Sequence, residues 1–359
     1  MQERVLMKGN EAFGAAAIRS GCRYYFGYPI TPQNELTEYM SRELPLAGGQ
    51  FIQAESELAA VNMAYGCAVG GGRALISSSS PGIALMQEGM SFLCCAELPL
   101  VVMNVSRGGP GIGGIQPGQA DYFQATRGGG NGDYHIPVFA PCAIQEAADL
   151  ISKAFETAEH YRNPVLILAD GMMGQMMEPV SLPKEKAPVP PEKVESSRPW
   201  ALTGHEDRRQ RKVIRALYLK PEELEEHNIA LSKKYEDMKK TLVSWESKNL
   251  EEAQVVFVAF GTMARIVTEA CSILEAEGIK TGLIRPITLW PFPYQAFEAL
   301  GADTKLVISA ELSMGQMIDD VARAVQGEYP VGLIQRSGGM VPTPIEVAEK
   351  AKALLEVQK

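Results

Sequence analysis

The chain has 359 residues, 46% of them hydrophobic and 21% charged, which suits a globular protein of two or three domains with a full core. Its net charge of −9 at pH 7 argues against nucleic acid as a partner, because phosphate recognition needs clustered Lys and Arg. No apolar signal core and no run long enough to span a bilayer occurs, so membrane insertion is excluded and a cytoplasmic location is expected.

In chain order, short apolar runs at 24–28, 74–78, 98–105, 138–140 and 165–168 predict strands. Helical patterns at 9–21, 33–43, 57–70, 83–95 and 144–161 lie between them. In the last of these, Ala147, Leu150, Ile151, Ala154 and Phe155 recur at helical period. Such alternation implies a mostly parallel sheet covered on both faces. The stretch PVSLPKEKAPVPPEKVESSRPW (179–200) has no periodicity and reads as an extended strap. A basic cluster follows, Arg208, Arg209, Arg211, Lys212 and Arg215, and reads as a solvated connector. Residues 222–248 predict a charged helix with Leu224, Ile229, Leu231, Tyr235, Met238, Leu242 and Trp245 as its buried stripe. The alternation then restarts, with strands at 254–260, 281–284, 305–310 and 331–334 and helices at 262–277, 315–325 and 344–357. The expected fold class is α/β, with two open, mostly parallel-sheet domains at 1–178 and 251–359 joined by the strap and helix at 179–250.

Several stretches carry chemistry. After the run LPLVVMNV comes SRGGPGIGGIQPG, in which Gly109, Gly111 and Gly114 fit G-x-G-x-x-G. A dinucleotide loop requires a helix to open there, and Pro117 with Gly118 speaks against one. Arg107, at a strand's carboxyl end, offers a planar fork for a carboxylate; it also reads as a surface arginine beside a flexible loop. In FGYPITP (26–32), two prolines bracket Ile30 and Thr31, so the Thr31 hydroxyl is either fixed toward a ligand or caps the next helix. In QAESELAAVNMAYG (53–66), Glu55 and Glu57 open an apolar helix. Either one is an ordinary first-turn carboxylate or, if buried, a proton-handling group. SSSSPG (77–82) precedes another helix without a nucleophile motif, which rules out a serine hydrolase. The six cysteines, Cys22, Cys67, Cys94, Cys95, Cys142 and Cys271, contain no C-x-x-C, and His135, His160, His205 and His227 are scattered, so no cluster or metal site is expected on this chain.

The order FGYPITP, ESELAA, SSSSPGIALMQEG, VSRGGPGIG, strap and second α/β domain resembles the alpha subunit of 2-oxoacid:ferredoxin oxidoreductases over almost the whole chain. The resemblance implies a pyrimidine-binding domain for thiamine diphosphate followed by a transketolase C-terminal-like domain. It implies that Glu57 pairs with N1′ of the aminopyrimidine as the catalytic carboxylate. Thr31 and Arg107 match substrate-contacting residues, and Tyr28, Pro29 and Ser80 fall in the motifs that line the cofactor. The family's reaction decarboxylates a 2-oxo acid oxidatively, passes electrons through iron–sulfur clusters to ferredoxin and transfers the acyl group to coenzyme A. The GDG motif and downstream asparagine that bind Mg²⁺ and diphosphate are replaced here by ADG (169–171) alone. Mg²⁺ and [4Fe-4S] clusters are therefore expected on partner subunits: beta for the diphosphate, delta for the clusters, with gamma completing the complex and not fused ahead of this chain. The stretches GGIQPGQADYFQATRGGGNGDYHIP and ADGMMGQMMEP look most like the branched-chain (3-methyl-2-oxobutanoate) members, with 2-oxoglutarate and aryl 2-oxo acid members close. A non-catalytic scaffold subunit and a thiamine enzyme that passes no electrons to ferredoxin are the competing readings.

Overall fold

The computed structural model describes residues 4–205 and 210–357; Arg208 and Arg209 of the basic cluster lie outside them. The chain opens with β1 (Val5–Lys8), α1 (Gly9–Arg19), β2 (Tyr24–Gly27), α2 (Asn34–Leu46), β3 (Gln50–Gln53), α3 (Glu57–Val69) and β4 (Ala74–Ser78). It continues through α4 (Ser80–Cys95), β5 (Leu100–Ser106), α5 (Tyr122–Arg127), β6 (Val138–Phe139), α6 (Ile144–Tyr161) and β7 (Pro164–Asp170). The short α7 (Gly171–Gln175) and β8 (Met177–Val180) lead into the strap, which carries α8 (Pro191–Ser197), and then α9 (Pro221–Thr241). The second half runs β9 (Trp245–Lys248), β10 (Val255–Val258), α10 (Gly261–Ala276), β11 (Thr281–Pro286) and β12 (Thr288–Trp290). After a 3-10 turn at Tyr294–Ala299 come β13 (Leu306–Glu311), α11 (Ile318–Val325), β14 (Val331–Gln335) and α12 (Pro344–Val357).

The first sheet has the order β12-β6-β7-β5-β4-β2-β3. Its strands are parallel except β12, which runs antiparallel to β6. Every residue of β5 and β7 is buried, as expected of central strands covered on both faces. The two-residue period divides them cleanly. Leu75, Val101, Met103, Val105, Val165 and Ile167 pack with α1 and α6 residues such as Phe13, Ile151 and Phe155. Ile76, Leu100, Val102, Leu166 and Leu168 face the opposite core with Val61 and Met90 from α3 and α4. The second sheet has the order β14-β13-β10-β11-β9, parallel except for β9 against β11.

Two departures from the sequence reading have clear causes. The charged helix ends at Thr241, and 245–248 form the edge strand β9 paired with β11. Of the expected stripe, Leu231, Tyr235, Met238 and Leu242 are buried, whereas Leu224 and Ile229 are exposed. Strand β9 itself, WESK, has one apolar residue and no β-branched one, so it carries no strand signature against the helical period that precedes it. Strand β3 escapes sequence reading because it is a four-residue edge strand with three exposed positions, and its two adjacent apolar residues, Phe51 and Ile52, are too few to show a period.

Charged groups tie the pieces together. Arg285 on β11 is buried and donates to Glu146 on α6 at 2.8 and 3.1 Å and to Glu246 on β9 at 3.0 Å, joining the two sheets' layers. At the strap, Arg198 donates to the Gly71 carbonyl and, at 2.9 Å, to Glu159, which also takes two bonds from Arg73. Burial alone would raise the Glu159 carboxyl, but the hydrogen bonds and charges of Arg73 and Arg198 outweigh it and hold the carboxyl below the usual range. A lowered folded-state value gives stability that is complete above the unfolded pKa of about 4.3 and is lost as pH falls through the folded value. Glu159→Gln should therefore unfold at a lower temperature than the wild type at neutral pH, with the two Tm values converging below about pH 4. Calorimetry across pH checks this, and a gap that stays constant on acidification would mean that Glu159 ionisation is not linked to folding.

Candidate functional site

In an open parallel sheet, ligands bind at the carboxyl ends of strands where the strand order reverses. Here the chain steps from β2 outward to β3, then returns to place β4 on the other side of β2. The switch point lies between β2 and β4. The loops leaving β2, β3, β4 and β5 carry, in turn, residues 28–33, Glu57, Ser80 and Arg107, so one topological feature gathers stretches that the sequence singles out separately.

The two glutamates of ESELAA separate by burial: Glu55 is exposed and Glu57 is 4% exposed. Glu57 is the first residue of α3, whose N-cap Ser56 accepts from the Ala59 amide at 3.2 Å. Ser78, the last residue of β4, donates its hydroxyl to Glu57 Oε1 at 3.1 Å. Among the described residues this is the one hydrogen bond given to the carboxylate, so Oε2 is left for another donor. The carboxylate also lies against Gly82 of α4. A Cβ there would stand 2.2 Å from Glu57 Oε1 and 2.0 Å from Ser78 Oγ. The glycine is required so that the carboxylate can sit between α3 and α4.

Arg107 follows β5 and is 7% exposed. Its Nη1 donates to the Thr31 carbonyl at 2.8 Å and its Nη2 to the Ile112 carbonyl at 2.7 Å, while Nε is buried without a partner. The guanidinium thus braces the β2 loop to the glycine loop. Thr31 meets it through its backbone, and the Thr31 hydroxyl accepts from Asn34 Nδ2 at 3.3 Å. The N-cap of α2 is Gln33, so Thr31 is not a cap. From Gly109 to Gln116 the loop is exposed, and Gly108 closes its base with bonds to Gln116 and Gly114. Gly113 has φ +59°, and a Cβ on it would fall 1.8 Å from the Gly108 carbonyl oxygen. The next helix, α5, begins only at Tyr122.

Ser80 opens α4 and links both halves of the constellation. Its hydroxyl accepts from the Arg107 amide at 3.0 Å and donates to Asp121 Oδ2 at 2.6 Å. Asn104 Nδ2 donates to the same carboxylate oxygen at 2.7 Å. Burial pushes the Asp121 carboxyl up, against the hydrogen bonds of Ser80, Asn104 and Ser106 and the charge of Arg107. Sequence reasoning missed Asp121, although Asp directly before the apolar YFQATR is a helix-start signal. Ser78 was hidden among four consecutive serines. Tyr28 and Pro29 are exposed on the β2 loop. In ADG, Asp170 accepts from the amides of Met172 and Met173 at 3.0 and 3.1 Å, so its carboxylate caps α7. Among the described residues no group of three or more His, Cys, Asp or Glu is placed to hold a metal ion, and no helix is long and apolar enough to cross a membrane. A groove of 800 Å³ beside Trp290, Phe292 and Arg323 contains none of this constellation.

The family profile described as "Pyruvate flavodoxin/ferredoxin oxidoreductase, thiamine diP-bdg" matches residues 15–246, and that described as "Pyruvate:ferredoxin oxidoreductase core domain II" matches 253–347. The chain is 43% identical over 352 residues to the ketoisovalerate oxidoreductase subunit VorB of Methanothermobacter marburgensis, covering 98% of this chain and 97% of that protein. It is 36% identical over 367 residues to the 2-oxoglutarate synthase subunit KorA of Methanocaldococcus jannaschii, covering 95% and 97%. Among solved structures it superposes with a TM-score of 0.85 and 25% identity on a 2-oxoglutarate:ferredoxin oxidoreductase from Magnetococcus marinus with 2-oxoglutarate, coenzyme A and succinyl-CoA bound. That match covers 99% of this chain and 66% of the other, so the chain spans slightly less than two thirds of it.

The close packing at Gly82 gives a direct check. Gly82→Ala forces a Cβ into the Glu57–Ser78 contact and should cost about 1–3 kcal/mol. Gly66→Ala, on the same helix pair but with nothing within 4 Å of its Cβ, should be neutral or stabilise by up to about 1 kcal/mol. Equal Tm shifts for the two variants would disprove the packing argument.

Proposed function

The chain belongs to the pyruvate flavodoxin/ferredoxin oxidoreductase family, and from that premise we propose that it is the subunit that holds the aminopyrimidine of thiamine diphosphate in a 2-oxoacid:ferredoxin oxidoreductase. The observation that carries the reading is Glu57. A carboxylate this buried, at a helix start on the switch point, with one oxygen taken by Ser78 and one left over, suits a partner that shares or exchanges a proton. Thiamine diphosphate, when bound, supplies the carbon nucleophile and the electron sink for decarboxylation. Glu57 would hold or move the proton at N1′. Tyr28, Pro29 and Ser80 would frame the ring. Thr31 and Arg107 would hold the substrate. An arginine has five N–H donors, and Arg107 spends two on the Thr31 and Ile112 carbonyls. The guanidinium therefore meets the substrate carboxylate already oriented, and the remaining Nη hydrogens serve that contact. A guanidinium held in this way binds the carboxylate without the cost of ordering a free side chain.

The Asp170 side chain is committed to its helix cap, so the diphosphate and Mg²⁺ are assigned to a beta subunit. The [4Fe-4S] clusters are assigned to a delta subunit, a gamma subunit completes the complex, and electrons leave on ferredoxin with the acyl group on coenzyme A. The complex is assigned to the cytoplasm. The preferred substrate is 3-methyl-2-oxobutanoate or a related branched 2-oxo acid. The VorB likeness supports this, as do the exposed side chains of Ile112 and Ile115 on the loop that Arg107 braces. A second substrate carboxylate, as in 2-oxoglutarate, calls for another cation, and the 108–116 loop carries none.

The test uses the complex purified through this chain. Coenzyme A-dependent reduction of a low-potential dye should be fastest, per kcat/KM, with 3-methyl-2-oxobutanoate; preference for 2-oxoglutarate would keep the mechanism and change the substrate. Glu57→Gln should leave the complex assembled and lower kcat by about 10²–10⁴-fold. Full turnover in that variant would remove the proposed proton role.

A further inference from the structure

Loops at the carboxyl ends of the second sheet grip the segment that leads away from Arg107. Gln119, 3% exposed, donates its amide N–H to the Leu312 carbonyl at 2.8 Å, and its side-chain Oε1 accepts from the Leu312 amide at 3.0 Å. Its Nε2 donates to the Phe260 carbonyl at 2.9 Å. In the opposite direction, Gln316 donates Nε2 to the Ala120 carbonyl at 2.7 Å and accepts from the Phe123 amide at 2.8 Å. Each side-chain amide thus makes its bonds to the backbone of the other half of the chain.

Both ends of this clasp are anchored. On the second-sheet side, Glu311 is 1% exposed and accepts from Ser309, Ser313 and the amides of Gln316, Met317 and Ile318, all within 3.0 Å. That carboxylate fixes the loop bearing Gln316. On the first-sheet side, the gripped segment contains Asp121, which takes the Ser80 hydroxyl at 2.6 Å, and Ser80 in turn accepts the Arg107 amide at 3.0 Å. The Gly118 Cα also lies against the Arg107 carbonyl, where a Cβ would come within 3.0 Å.

We propose that Gln119 and Gln316 are positioning residues: by clasping backbone across the seam in both directions they fix the 117–123 segment and, through Asp121 and Ser80, the placement of Arg107 for the substrate carboxylate. This rests on the reading of Arg107 given above. An apolar side chain of similar length would seal the seam equally well, but it could not bridge a donor and an acceptor at once. The role is therefore separable from filling space.

The experiment measures KM and kcat for the preferred 2-oxo acid, and Tm, on the purified complex carrying Gln119→Leu, Gln316→Leu, Arg107→Ala, or either glutamine change combined with Arg107→Ala. Each leucine variant should raise KM about tenfold with kcat nearly unchanged. Added to Arg107→Ala, it should raise KM no further, because the group being positioned is gone. If Arg107→Ala raises KM while the leucine variants lower only Tm, the clasp is merely structural and the Arg107 reading survives. If Arg107→Ala leaves KM at the wild-type value, the carboxylate reading fails and takes the clasp's proposed role with it. Where a leucine variant does not assemble, Gln119→Asn and Gln316→Asn, which keep the amide and shorten its reach, are judged by the same criteria.

Discussion

The geometry of the switch point hangs on one guanidinium. Arg107 bonds the carbonyls of Thr31 and Ile112, which belong to loops leaving two different strands, β2 and β5. Hydrogen bonds from a charged donor contribute about 1.5–3 kcal/mol each when buried. No regular ladder holds these loops to one another, so the charge that would orient a substrate also holds the walls of the site. Around it the structure leaves little slack. Gly113 and Gly118 allow the chain to fold back on Gly108 and Arg107, and Ser80 reads the Arg107 backbone while sharing its proton with Asp121.

The two sheets use different physics where they meet. Far from the switch point, Arg285 joins Glu146 and Glu246 in an ion-pair cluster whose partners are still partly wet. Beside the site, the neutral amides Gln119 and Gln316 join the halves, and along α5 Tyr122 donates to Asp320 and Arg127 pairs with Asp319. The two amides satisfy buried backbone groups next to Arg107 without adding a charge of their own.

Much of the first sheet was legible because its strands are continuous apolar runs and its helices keep a clean period; α6 lies where the spacing of Ala147, Leu150, Ile151, Ala154 and Phe155 puts it. Short edge strands were not, since β3 and β9 expose most of their side chains and owe their existence to pairing. In the site, Thr31, Glu57 and Arg107 could be singled out because each sits in a stretch of unusual composition, whereas Ser80 came forward only through the family resemblance. The choice between Glu55 and Glu57 could not be made locally: two carboxylates two residues apart look alike until the sheet buries one of them. Asp121, Gln119 and Gln316 are ordinary polar residues in sequence. Their meaning comes from partners far along the chain, which no local pattern encodes.

The placement of β12 has a consequence for how such a chain is made. Thr288 and Trp290, from the second half, pair with Phe139 and Val138 of β6, a two-residue strand that would otherwise end the first sheet. During synthesis the first sheet emerges from the ribosome with that flank unpaired, and it stays so until the strap, α9 and three strands of the second sheet, β9, β10 and β11, have followed. An unpaired flank invites pairing with another nascent chain. The shortness of β6 keeps that template poor, and the late arrival of β12 makes completion of the first sheet the signal that the second has begun to form. Splitting the gene at the strap would therefore yield two fragments that need each other to close a single sheet.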